Sequence, residues 1–155
     1  DWKDLLQQLI NSKASIDINQ GIDIRLMTEE KAEYIKRLKL TNVHFAWDRY
    51  EDKDKILPKF KMFKDVTSWS YQKLTVFVLT GFNTTFEQDL ERVYTLRDLG
   101  YNPYVMVYEK YSLPSGHKLL KLQRWVNNRR IFRTVKTFDD YNKLGNKPGN
   151  NKRLF

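Results

Sequence analysis

The chain has 155 residues, 41% hydrophobic and 14% aromatic, with a formal net charge of +9. A chain this long buries roughly 70% of the surface its unfolded form exposes, enough for a domain-sized core. Cysteine is absent, which excludes disulfides, thiolate zinc sites and thiolate-held iron–sulfur clusters from these residues.

Apolar runs such as residues 74–79 fall far short of the roughly 20 residues a membrane helix requires. No charged-then-apolar leader opens the sequence, so a soluble, cytoplasmic protein without a membrane partner is expected. The charge favours anionic partners. Its basic residues concentrate at 118–136 and 143–153 but are spread along the sequence, and a solvated basic surface is the simpler reading of them.

Trp2, Leu5, Leu6, Leu9 and Ile10 form a helical stripe. Because the sequence opens directly on it, at Asp1, the chain reads as a fragment. A first strand is expected at residues 15–19, followed by a helical stripe of Ala32, Ile35 and Leu38. A second strand at 42–48 leads to a helix near 54–64 with Ile56, Leu57, Phe60 and Phe63 on its apolar side. A third strand at 74–82 precedes the clearest helix. Thr85 and Gln88 make its capping box, Phe86, Leu90, Val93 and Leu96 recur along one face, and Gly100 stops it. A fourth strand at 103–109 is separated by a break at 112–116 from a helix at about 117–130, where Leu119, Leu122 and Val126 are spaced for burial. Residues 1–141 are expected to form the folded part and 142–155 a flexible basic tail.

Strands that start roughly 30 residues apart, each followed by a helix, have the spacing of strand–helix units, and three of them are nearly continuous in apolar residues, as strands buried on both faces must be. The fold class expected is α/β: an open parallel sheet of repeated βα units, a fragment of a partial TIM-type barrel. Four units cannot close eight strands. An unpaired first strand would then leave an edge open to self-association.

Parallel sheets place ligands at the C-terminal ends of their strands. The first strand ends in Asn19-Gln20-Gly21-Ile22-Asp23-Ile24-Arg25, which offers ribose contacts and a bidentate grip on a carboxylate, or simply a surface Asp23–Arg25 pair. The second ends in Trp47-Asp48-Arg49-Tyr50, where Asp48 either binds a base beside an aromatic ring or caps a turn. At the third, Thr80 and Asn83 are ligand candidates ahead of a helix N-terminus; at the fourth, Tyr108-Glu109-Lys110 is equally an ordinary strand exit. Neither His44 nor His117 has a partner at metal-ligand spacing. A hydrogen-bonded structural role is expected for the first and exposure for the second. No residue is assigned to catalysis or to a metal.

The runs Asn19-Gln20-Gly21-Ile22-Asp23-Ile24-Arg25, Val43-His44-Phe45-Ala46-Trp47-Asp48 and Tyr101-Asn102-Pro103-Tyr104-Val105-Met106-Val107-Tyr108 resemble the later strands of radical S-adenosylmethionine domain proteins, over roughly residues 1–141. The resemblance implies the C-terminal part of a partial (βα)6 barrel. The full-length protein would hold a 4Fe-4S cluster through a CxxxCxxC loop and would cleave S-adenosylmethionine to a 5′-deoxyadenosyl radical. A glycine-rich turn follows the second strand of the family's barrel and holds the methionine amino group there. Both that turn and the CxxxCxxC loop are missing here, so no cofactor is expected in this fragment and it would be inactive alone. By position, Gln20, Asp23 and Arg25 resemble residues that contact ribose and the methionine carboxylate, Asp48, Thr80 and Asn83 would face adenine or substrate, and Tyr108 would lie deeper in the cleft. The substrate is unknown.

Two other readings compete. A basic α/β nucleic-acid-binding module without catalysis requires cations clustered on one face, and a doubly wound nucleotide-binding domain requires helices on both faces of the sheet.

Overall fold

The computed structural model describes residues 1–145. The expected tail therefore lies mostly outside the described residues, and its start at 142 falls inside a helix, α7 (Phe138–Gly145).

Helix α1 (Trp2–Ser12) is capped by the Asp1 carboxylate and leads to a short strand, β1 (Ser15–Ile16). After a 3-10 turn at Ile24–Leu26 comes α2 (Glu29–Lys36), then β2 (Lys39–Leu40) and β3 (Val43–Ala46). Helix α3 (Lys53–Thr67), β4 (Leu74–Thr80), α4 (Phe86–Asp98) and β5 (Asn102–Val107) follow. The expected helix at 117–130 divides into α5 (Lys118–Asn127) and α6 (Arg129–Thr134). It divides because Asn128 leaves the helical conformation and its side chain caps α6, accepting from Ile131 N.

All strand pairs are parallel. β3, β4 and β5 form one sheet in sequence order, while β1 and β2 form a two-stranded sheet. The first expected strand is shorter than residues 15–19, but its segment keeps its place. Thr41 N donates to Ile16 O, His44 Nδ1 lies 3.1 Å from Ile18 O, and Ile22 bridges Phe45. Residues 15–22 thus run beside 39–45. The far side of β1 has no strand partner among the described residues, and the sheet does not close on itself.

The register separates two faces. Val43, Phe45, Leu74, Val76, Val78 and Val105 are buried against the helices, with Phe60 and Phe63 of α3 and Leu96 of α4 in one cluster and Val93, Leu122 and Trp125 in another. On the opposite face, His44, Phe77, Tyr104 and Met106 are half-buried or exposed and belong to neither cluster. His44 stacks on Phe77, whose ring meets Tyr104 edge-on.

Helix ends follow local chemistry. Thr85 and Gln88 form the expected capping box. At the other end of α4, Gly100 takes φ 86° while its N–H bonds Arg97 O and that of Tyr101 bonds Leu96 O, the paired bonds of a Schellman stop. No helix among the described residues is long and apolar enough to cross a membrane.

Candidate functional site

The C-terminal ends of the segment 15–22 and of β3 converge on a pocket of about 300 Å³, lined among others by Gly21, Asp23, Arg25, Asp48, Arg49 and Asp52. Asp23 shapes its near wall. Its carboxylate caps the 3-10 turn by accepting from Arg25 N, and it also accepts from Arg25 Nε at 2.9 Å and Nη2 at 2.8 Å. The Arg25 hydrogen bonds hold the Asp23 carboxyl below the usual carboxylate range, and Asp23 in turn raises the guanidinium. A guanidinium has two bidentate edges. Asp23 occupies the Nε–Nη2 edge, while Nη1 makes no hydrogen bond within the described residues, so the end-on edge is open to a second carboxylate. The surface pair and the ligand contact are thus compatible.

The other sequence candidates fall in different surroundings. Asp48 is exposed on the same pocket. Gln20 is exposed but is not among the pocket's lining residues. Thr80 is fully buried on the helix side of β4, with its hydroxyl donating to Met106 O at 3.2 Å. Asn83 is exposed with φ 52° in the β4–α4 loop, and Tyr108 is 42% exposed with its ring 4.7 Å from that of Phe82. The pocket therefore gathers Asp23, Arg25 and Asp48 but not Gln20, Thr80, Asn83 or Tyr108. His44 is tied to Ile18 O, and His117 caps α5 through Nδ1.

Sequence reasoning missed the bracket beneath this site. Asp89 and Arg92 of α4 are 1% and 0% exposed and paired at 2.6 Å. Arg92 also donates to Trp47 O and Leu79 O, while Asp89 accepts from Gly81 N and from the Thr84 hydroxyl. One ion pair thus ties the ends of β3 and β4 to the loop after β4. Gly81, at φ 73°, has a conformation that disfavours a side chain, and an added Cβ would meet Leu119 Cδ1 at 2.7 Å. The available signal was spacing: 89, 92, 93 and 96 share one helical stripe with the apolar Val93 and Leu96.

Alongside it, Glu91 accepts hydrogen bonds from Lys53 Nζ and the Tyr50 hydroxyl, joining the start of α3 to α4. Among the described residues, no group of three or more His, Asp or Glu is placed to hold a metal ion. Comparison with protein-family models, with curated proteins and with solved structures finds no match for this chain.

Proposed function

We propose that this chain is the C-terminal part of a radical S-adenosylmethionine enzyme, and that its strand-end pocket takes the amino-acid end of S-adenosylmethionine. The observation that carries the reading is the convergence of Asp23, Arg25 and Asp48 on one pocket at the C-terminal ends of parallel strands, where the open end-on edge of Arg25 suits a carboxylate and Asp23 or Asp48 suits an ammonium or ribose hydroxyls.

The packing supports it. Helices cover one sheet face and leave an aromatic inner face open, as an arc of a barrel would. The sheet also ends at β5. Val105 N donates to Asn127 Oδ1, Val105 O accepts from Asn127 and Gln123, and Pro103 on the same edge has no N–H. Among the described residues, this leaves the β1 side as the sheet edge without such contacts.

A 4Fe-4S cluster does not fit these residues, because the chain offers no thiolate. It would be held by chain outside this sequence and would supply the radical chemistry there. The part played by the residues described here is to bind and orient: Arg25 the carboxylate, Asp23 the Arg25 side chain, and the Asp89–Arg92 bracket the strand ends. Reading the coding sequence upstream of Asp1 tests the proposal. A CxxxCxxC loop within upstream βα units is expected; an upstream sequence without that loop would overturn it.

A further inference from the structure

Between residues 110 and 138 the chain carries eight Lys and Arg and no Asp or Glu, nearly the whole of its net charge of +9. The fold gathers part of this charge at the N-terminal ends of β4 and β5, away from the strand-end pocket. Arg129 donates to Thr75 Oγ1 and Arg133 to Asn102 Oδ1, on neighbouring residues of the two strands. Arg124 and Arg129, with Asn127 and Asn128, line an open concavity of about 530 Å³.

Behind them sit cations without counter-charges. Arg133 lies over the Tyr71 ring at 3.4 Å, and Lys64 is tied to the carbonyls of Trp69 and Gly100. No carboxylate lies within ion-pair distance of Arg124, Arg129, Arg133 or Lys64 among the described residues. Burial and the neighbouring Arg97 and Arg129 charges lower the pKa of Arg133, and burial and Arg133 lower that of Lys64. A cationic cluster left uncompensated in a folded domain projects a positive field onto the concavity beside it.

We propose that this end of the molecule is a docking face for a nucleic-acid phosphate backbone, with Arg124, Arg129 and Arg130 making the outer contacts. The chemistry favours nucleic acid over an anionic membrane. Of the apolar residues of α5 and α6, Leu119, Leu122, Trp125, Val126 and Phe132 are buried and Leu120 and Ile131 are half-buried, so neither helix keeps a broad exposed apolar face of the kind that inserts beneath lipid headgroups. Uncompensated arginines around an open concavity suit a chain of phosphates instead. The face is independent of the strand-end pocket.

Fluorescence anisotropy with a labelled single-stranded RNA, across a salt series, tests it. Arg124 and Arg130 are exposed, and among the described residues the one side-chain hydrogen bond either makes is from Arg124 to Leu120 O of its own helix. The double variant Arg124→Gln/Arg130→Gln is therefore expected to keep its fold. Each phosphate contact contributes about 0.7 to the salt slope of single-strand binding, so the pair should make the slope shallower by about 1.4. The control Lys55→Gln/Lys61→Gln removes the same charge from exposed positions on α3 and should leave the slope unchanged. Absence of salt-dependent RNA binding, an equal loss in the control, or binding to phosphatidylserine vesicles that exceeds binding to RNA would overturn the proposal.

Discussion

Arg92 Nη1 donates to Trp47 O at 2.7 Å, while Nη2 of the same guanidinium reaches Leu79 O at 2.6 Å, so one side chain of α4 spans the ends of two neighbouring strands. Its charge is matched by Asp89 in a site closed to solvent. Replacing Arg92 with Leu would leave Asp89 buried without its cation and both carbonyls without this donor. Breaking a buried pair in this way costs on the order of 3 to 5 kcal/mol. Urea unfolding should show a loss of that size; a loss under about 1 kcal/mol would mean the bracket does not hold the strand ends.

Acid should weaken the tie between α3 and α4. Hydrogen bonds from Lys53 and then Tyr50 hold Glu91 below its ordinary value. A carboxylate depressed in the folded state contributes stability above its unfolded pKa, about 4.3 for Glu, and loses it as pH falls through the lower folded value. Thermal unfolding followed from pH 6 to pH 3 should show part of the decline missing in Glu91→Gln. Parallel curves for the two proteins would contradict the assignment.

The outer edge of β5 makes a different prediction. Asn127 satisfies Val105 N and, with Gln123, Val105 O. Asn127→Ala should cost about 1 to 3 kcal/mol for the unpaired amide and expose a strand edge to other molecules. Light scattering should then detect concentration-dependent association above that of the parent chain. Unchanged stability and scattering would show that Asn127 does not guard the edge.

Much of this fold was legible in periodicity. The strands expected at 42–48 and 74–82 contain the observed elements, and the one at 103–109 overlaps β5 but misses its first residue, Asn102. Their apolar runs are nearly continuous even though the face away from the helices is mostly half-buried or exposed rather than covered, as burial on both faces would require. β2 was not legible: its two residues, Lys39 and Leu40, carry no pattern a short window can read. The break at Asn128 was missed because Leu119, Leu122 and Val126 keep helical spacing up to it, and only the side-chain cap on Ile131 N shows where α5 ends. At the site, the turn Gly21–Arg25 stood out as a dense polar set after a strand. Thr80 looked similar in sequence, but the alternation of β4 turns it into the core with Leu74, Val76 and Val78. The Asp89–Arg92 pair stayed hidden because charged residues on a helix are ordinarily exposed, and burial is a property of the tertiary fold.

The central proposal is that Arg25 grips the carboxylate of S-adenosylmethionine at the strand ends. Calorimetric titration with S-adenosylmethionine, of the full-length protein and of its Arg25→Lys variant, tests this most directly. Lysine keeps the charge but loses the planar fork that allows Asp23 on one edge and a ligand carboxylate on the other. A charge-assisted contact of this kind is worth about 1.5 to 3 kcal/mol, or roughly 10- to 150-fold in affinity. Weakening by about tenfold or more, with an unchanged unfolding temperature, is the predicted result; equal affinities in the two proteins would contradict it.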